Sequence, residues 1–301
     1  MNMSAAADAL YTSQPGVSKQ IRLLEDELGV DLFTRSGKHL TGLTTIGAAV
    51  LNRAEAILRE VRNIHRHAAE YRDQQHGQLA IATTHTQARY ALPAVICRFR
   101  QHYPNVVLQI HQGSPTQIAQ MAVSGLVDFA IATEALELFE DLVMMPCYRW
   151  NRAVIIPTDH PLATTTALTL EAIAEHPLIT YVFGFTGRSQ LDEAFKAAGL
   201  HPRVVLTATD ADVIKTYVRT GLGVGIIARM AYDPMMDQDL VKQDADHLFA
   251  ESITQIGFRR GLYLREFMYD FISMFAPHLT KAHVEQCLVD DKRYTGELPL
   301  Y

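Results

Sequence analysis

The chain has 301 residues, 48% apolar and 20% charged, the balance of an ordinary globular protein of two or three domains. No run approaches the roughly 20 apolar residues of a membrane span, and Met1-Asn2-Met3-Ser4-Ala5 lacks the basic and apolar regions of a secretory leader, so the cytoplasm is the expected compartment. The net charge of −6 argues against a chain that coats nucleic acid, but residues 1–75 hold nine Lys/Arg and nine Asp/Glu, a neutral head on an acidic body.

The head starts with an Ala-rich helical piece, Ser4 to Leu10, and a tight turn, Tyr11-Thr12-Ser13-Gln14-Pro15-Gly16. A second helix follows, with Val17, Ile21, Leu24 and Leu28 forming an apolar stripe. Ser13 suits its N-cap, Pro15 its first turn and Gly29 its C-terminal stop. Two short helices joined by a tight turn form a helix-turn-helix pattern, whose second helix enters the major groove. Gln14, Ser18, Lys19 and Arg22 lie opposite the stripe, where Gln and Ser can read base edges and Lys and Arg can meet phosphate or guanine. Val30 to Thr41 then reads as two strands around Ser36-Gly37, a wing tipped by Arg35, Lys38 and His39 and placed against a DNA backbone.

From Thr45 to about Arg72, Ile46, Val50, Ala54, Ile57, Val61, Ile64 and Ala68 recur at spacings of three and four, the seam of a dimerising coiled coil. Asp73 to Gly77 is the linker out of it. Next come Leu79-Ala80-Ile81-Ala82, a buried strand, and Thr83-Thr84-His85-Thr86-Gln87-Ala88-Arg89, opening a helix with Ala91, Leu92, Val95, Ile96 and Phe99 inward. Helix N-termini offer unpaired amides and partial positive charge. Thr84, Thr86 and Gln87 add neutral donors there, a combination that suits a small oxyanion; the plainer alternative is that Thr84 or Thr86 only caps the helix.

Beyond residue 77 strands and helices alternate. Val106–Ile110, Val127–Ala132, Val154–Ile156, Leu178–Tyr181, Val204–Thr207 and Val224–Ala228 read as strands; Thr116–Ser124, Gly187–Ala198 and Ala211–Thr220 read as helices. This predicts an α/β body with mostly parallel sheets and a ligand beyond the strand C-terminal ends. Thr133-Glu134, the Val182 to Ser189 turn with Thr186, and Thr209-Asp210 all fall at such ends. Gly221-Leu222-Gly223-Val224-Gly225 precedes a strand, so it reads as a helix stop and not a dinucleotide fingerprint. Cys97 and Cys147 read as small core residues, and Cys97, Cys147 and Cys287 form neither a disulfide framework nor a zinc site. His102, His160 and His176 read as surface loop residues, and no histidine spacing suggests a metal. No nucleophile elbow, cofactor lysine or metal set is present, so neither an enzyme nor a cofactor is implied. A secreted solute-binding protein, which would share a two-lobed cleft, fits neither the N-terminus nor the helix-turn-helix.

Ser4-Ala5-Ala6-Ala7, Thr12 to Ser18, Leu23 to Gly29 and Leu32-Phe33-Thr34-Arg35 resemble the heads of LysR-type transcriptional regulators. The blocks at 83–93, 111–120, 128–136, 183–192 and 207–225 are similar to the sulfur-responsive branch of that family, the activator of the cysteine regulon and its sulfonate-utilisation paralogue. The resemblance implies a winged helix-turn-helix head (1–44), a linker and dimerisation helix (45–76) and a periplasmic-binding-protein-like effector domain (77–290), with residues 291–301 as a tail. Within the effector domain it implies one subdomain of about 77–149 and 253–290 and a second of about 150–252, crossing near Trp150 and Ser252. It implies a homotetramer on promoter DNA, with RNA polymerase as a partner, an acetylserine-type inducer, and sulfate or thiosulfate in the same cleft. The anion contacts would be Thr84, Thr86, Gln87, Thr133 and Thr186, with Trp150 lining the cleft; Thr12, Ser13 and Pro15 join Gln14, Ser18, Lys19, Arg22, Arg35 and Lys38 on the DNA side. Heads of this family carry a further helix before the Ser-Ala-Ala-Ala segment, whereas three residues precede it here. Without it Leu10, Val17, Ile21 and Leu24 would lack a packing partner, so the expectation is a chain start assigned downstream of the true one, the alternative being a defective head.

Overall fold

The computed structural model describes residues 2–37, 39–73, 75–133, 139–165, 167–290, 294 and 296–301. Contacts divide the chain into two compact units, Met1–Arg66 and His67–Tyr301.

The first unit opens on α1 (Met3–Ala9), whose cap is the Asn2 side chain accepting from the Ala5 amide at 3.0 Å. For α2 (Gln14–Leu28), Ser13 Oγ accepts from the Gly16 amide at 3.2 Å, Pro15 sits in the first turn, and Gly29 stops the helix at φ 69°. The wing is an antiparallel hairpin of β1 (Phe33–Ser36) and β2 (His39–Leu43), and α3 (Thr45–Arg72) follows. Gly47 lies so close under the wing that a Cβ would stand 1.9 Å from the Leu32 carbonyl oxygen, so no other residue fits there.

The stripe on α2 is covered only at one end. Val17 joins Ala7 and Leu32 in the interior, but Leu24 and Leu28 remain 43% and 45% exposed and Leu10 67%. The expectation that Leu10, Val17, Ile21 and Leu24 lack a packing partner holds for Leu10 and Leu24 and is corrected for Val17, which is buried; Ile21 is half-buried. Ile57, Val61 and Ile64 on α3 are likewise exposed, the open apolar face that the seam predicts for a single chain.

In the second unit β3 (Gly77–Thr83) leads into a π-helical turn, Gln87–Ala91, continued by α4 (Leu92–His102). There follow β4 (Val106–Gln112), α5 (Pro115–Ser124), β5 (Phe129–Ala132), β6 (Leu142–Trp150) and β7 (Arg152–Pro157). Next are α6 (Leu170–Ala174), β8 (Leu178–Tyr181), α7 (Arg188–Ala197), β9 (Val204–Ala208), α8 (Ala211–Arg219) and β10 (Val224–Ala228). The chain ends with β11 (Leu240–Asp244), β12 (Ser252–Arg259), α9 (Glu266–Phe275) and α10 (Lys281–Asp290).

These strands build two five-stranded sheets, β4-β3-β5-β12-β6 and β11-β7-β10-β8-β9. The parallel pairs are β3 with β4 and β5, and β8 with β9 and β10. The expectation of mostly parallel sheets is corrected by β6, β7, β11 and β12, all paired antiparallel. In the first lobe Phe99, Phe129, Phe258, Phe267 and Phe271 are fully buried, and the Phe129 and Phe271 rings stack at 5.8 Å. At about 2–3 kcal/mol per buried Phe side chain, this cluster fastens α4 and α9 to their sheet.

The chain passes from the first sheet to the second between Trp150 and Arg152, and returns between Asp244 and Ser252. Asn151 ties the two passages together, its Nδ2 donating to the carbonyls of Asp246 (3.3 Å) and Phe249 (3.0 Å). Two smaller expectations are also corrected. Cys97 is exposed on the outer face of α4, while Cys147 and Cys287 are buried. His160 and His176 are not plain surface residues but a half-buried pair with ring centroids 4.6 Å apart. Among the described residues no helix is long and apolar enough to cross a membrane.

Candidate functional site

Where β3 ends, Thr84, Thr86 and Gln87 are 5%, 1% and 1% exposed. Thr86 has helical backbone (φ −56°, ψ −45°) and makes no capping hydrogen bond. Its hydroxyl oxygen is buried without a hydrogen-bond partner, which is not what a cap residue does. It lies beside the Tyr181 phenol at the end of β8, in the other lobe. Burial raises the Tyr181 pKa, while the Ala228 amide and the Thr86 hydroxyl lower it in part.

The opposite side of the turn converges on Thr254, a β12 residue that sequence reasoning missed. Gln87 Nε2 and Trp150 Nε1 both donate to Thr254 Oγ1 at 3.1 Å, and Thr133 Oγ1 lies 3.4 Å from it. Tyr148 donates its hydroxyl to Gln87 Oε1. A hydroxyl has one proton and two lone pairs. With both lone pairs of Thr254 taken by N–H donors, its own proton goes to Thr133 or to the neighbouring Tyr148 phenol, and in both cases the Thr133 proton is left to point elsewhere. Gln87 keeps its second Nε2 proton, and Thr86 its hydroxyl proton. The described site therefore holds at least three spare neutral donors within a buried polar cluster.

The second lobe contributes the turn before α7. Thr186 is buried at φ 47°, a backbone region that a β-branched residue enters at a cost of about 1–3 kcal/mol and that clusters at ligand clamps. Gly187 follows at φ 70°, where a Cβ would stand 2.1 Å from Arg152 Nη2 and 2.6 Å from Ser252 Oγ. Arg152 Nη2 donates to the Gly187 carbonyl at 2.6 Å and to Ser252 Oγ at 3.0 Å, and its guanidinium lies 5.5 Å from the Trp150 ring centre. Of the predicted anion residues, then, Gln87, Thr133 and Trp150 meet directly at Thr254. Thr86 faces Tyr181 across the lobes, Gly187 next to Thr186 accepts from Arg152, whose guanidinium lies over Trp150, and Thr84 takes no part in these bonds. Thr209 is exposed, and its neighbour Asp210 caps α8 by accepting from the Val213 amide at 2.9 Å.

His85, Asp210 and Asp212 come together with ligand atoms within 4.8 Å, a grouping that no sequence spacing shows. Asp212 is already engaged by Arg89 at 2.8 Å and by the Tyr90 hydroxyl at 2.7 Å.

In the head, Gln14, Ser18 and Arg22 share one face of α2 and line a concavity of about 510 Å³ together with Arg35, Gly37 and Leu40. Thr12, Pro15 and Lys19 are exposed beside it. Two predicted contacts are modified. Ser13 uses its hydroxyl oxygen as the α2 cap. Arg35 is not a free wing-tip cation: it pairs with buried Glu25 and, at 3.2 Å, with Asp31. Lys38 and the His39 side chain lie outside the described residues.

Comparison with known proteins places this geometry. A profile for the LysR substrate binding domain matches residues 72–280, and one for the bacterial regulatory helix-turn-helix protein, lysR family, matches residues 1–48. The chain is 57% identical over 286 residues to the HTH-type transcriptional regulator CysB of Haemophilus influenzae, covering 95% of this chain and 88% of that one. It is 55% identical over 284 residues to the HTH-type transcriptional regulator SsuR of Burkholderia cenocepacia, covering 94% and 92%. Among solved structures, the cofactor-binding domain of the Cbl transcriptional regulator matches with TM-score 0.69 and 42% identity, over 71% of this chain and 94% of that one. A full-length OxyR variant from Pseudomonas aeruginosa shares the fold at TM-score 0.69 and 23% identity, over 92% and 91%.

Proposed function

That the chain belongs to the LysR family of bacterial transcription regulators is the premise from which we propose its effector and its genes. It is a DNA-binding regulator with an effector domain, not an enzyme. We propose that it controls sulfur-assimilation and cysteine-biosynthesis genes, that an acetylserine-type inducer gates it, and that sulfate or thiosulfate occupies the same cleft. Thr84, Thr86, Gln87, Thr133 and Thr186 contact the anion, Trp150 lines the cleft, and Thr254 sets the direction of the protons.

The observation that carries this reading is the set of uncharged spare donors at Thr86 and Gln87, both buried, and at half-buried Thr133. Such a set binds an oxyanion reversibly without the desolvation cost of a buried ion pair. The names of the similar regulators CysB and SsuR support the gene class. The near-equal identity to the second of them favours one alternative, control of sulfonate-utilisation genes by a sulfate-activation metabolite. In either case the protein acts in the cytoplasm as a homotetramer that engages RNA polymerase at the promoter, and the effector works by binding one tetramer shape more tightly than another.

A gel shift of the full chain on a sulfur-gene promoter tests this reading, run with N-acetylserine, O-acetylserine, sulfate and thiosulfate in turn. Retarded DNA whose pattern changes with acetylserine or sulfate is expected. Binding that ignores all four compounds overturns the effector assignment.

A further inference from the structure

The turn that carries Thr86 and Gln87 is flanked by three residues the anion reading leaves unused: His85, Arg89 and Tyr90. All three reach one carboxylate in the other lobe. Arg89 Nε lies 2.8 Å from Asp212 Oδ2, the Tyr90 hydroxyl donates to Asp212 Oδ1 at 2.7 Å, and His85 Nε2 stands 3.8 Å from Oδ2.

Arg89 and Tyr90 stand in the π-helical turn itself and His85 in the helical residues just before it; such turns recur at functional sites. On the other side, Asp212 stands in the first turn of α8, where helix polarity favours a carboxylate. Lys215 backs it at 3.5 Å and lies 5.4 Å from the Tyr90 ring centre. Lys215 is held in turn by Asp237 at 2.9 Å and by the Ala231 carbonyl at 3.0 Å.

We propose that Asp212 is a positioning residue for effector binding: by engaging Arg89 and Tyr90, with His85 alongside at 3.8 Å, it holds the turn bearing Thr86 and Gln87 against the second lobe in its binding geometry. This rests on the anion reading of the cleft. Asp212 takes no part in the Thr254 cluster, so it acts on affinity through the placement of the donors. The sign of its effect separates placement from plain charge. A carboxylate near an anion site repels the anion, and removing it would tighten binding; removing a latch weakens binding.

The test uses the full chain and inorganic sulfate, followed through the fluorescence of Trp150, the only tryptophan. Asp212→Ala is expected to weaken sulfate binding by roughly tenfold, within the usual range of coupling between sites. Tyr90→Phe, which removes the hydroxyl's bonds to Asp212 and Arg89 but no charge, is expected to weaken it by about threefold and covers the case of an alanine variant that fails to fold. In ligand-free protein, acrylamide quenching of Trp150 is expected to rise in Asp212→Ala. Sulfate bound equally or more tightly by both variants overturns the proposal and leaves the anion site standing. If wild-type protein binds no sulfate, the anion reading fails, and quenching alone decides the latch: greater access to Trp150 in the variant supports it, equal access overturns it.

Discussion

Gln87 and Thr254 stand 167 positions apart in the chain and are joined by a 3.1 Å hydrogen bond that also fixes how Trp150 and Thr133 are oriented. Thr254→Val keeps the shape and removes the shared oxygen. Two buried N–H groups then lose their acceptor, at about 1–3 kcal/mol each. The expected result is a loss of about 2–4 kcal/mol in urea unfolding, together with weakened sulfate binding followed by calorimetry. Unchanged unfolding would mean that the cluster is not the anchor its geometry suggests.

Gly187→Ala combines an unfavourable φ of 70° with a Cβ placed 2.1 Å from Arg152 Nη2. Either Arg152 or the Thr186 turn has to move. A destabilisation of about 2–3 kcal/mol in thermal unfolding is expected, at the upper end for a point change outside an apolar core. On the proposed anion reading of the cleft, sulfate affinity is expected to fall with it.

Glu25 sets the acid limit of the head. Burial pushes its carboxyl up, but the Arg35 guanidinium and the Leu32 and Phe33 amides outweigh burial and hold it below the usual glutamate range. A depressed folded-state pKa means stability that is fully present above the unfolded value, about 4.3, and lost as pH falls through the folded value. Circular-dichroism melts from pH 7 down to pH 3 are expected to show Glu25→Gln less stable than wild type at neutral pH, with the gap closing below about pH 4. A constant gap across that range rules out the linkage.

Lys215 is 3% exposed and depends on Asp237, itself 2% exposed. Asp237→Ala leaves a buried ammonium with one carboxylate fewer. Losing one partner of a buried pair costs roughly 3–5 kcal/mol; the lower end is expected because Asp212 remains 3.5 Å from the same ammonium. Chemical unfolding of the full chain measures it.

The exposed Ile57 and Ile64 on α3 supply the last prediction. Glutamate at both positions is expected to break the self-association that the seam favours, lowering the mass seen by light scattering. An unchanged mass would place the main subunit contact outside α3.

Local rules made much of this legible. Ser13 and Gly29 bracket α2, and the 3.5-residue seam delimits α3 to Thr45–Arg72. Short apolar runs mark β4, β8 and β10, and the hydroxyl turns fall at strand ends. What stayed hidden depends on distant partners. β6 carries Pro146 and Arg149, and the alternation of β12 breaks at Thr254-Gln255, so each is a strand because of its antiparallel neighbours, β12 beside β6, and β5 and β6 beside β12. Thr254 could have been flagged by that break in the period-two alternation, but its role exists only once Gln87, Trp150 and Thr133 are brought to it. The π-helical turn leaves no trace in hydrophobic spacing. Arg35 looked free because Glu25, ten positions earlier, reads as one more surface acid on a polar helix.

The double passage between the sheets, stapled by Asn151, restricts how an effector can act. Two bodies joined by a single strand can twist as well as swing; joined at two bound points, they keep only the swing, because twisting would stretch one connection while slackening the other. The lobes therefore behave like a book on its spine, with Asn151, Asp246 and Phe249 as the binding. Whatever the cleft senses is passed on as one angle, and lengthening a single passage by one residue would give back the lost freedom and blur the message.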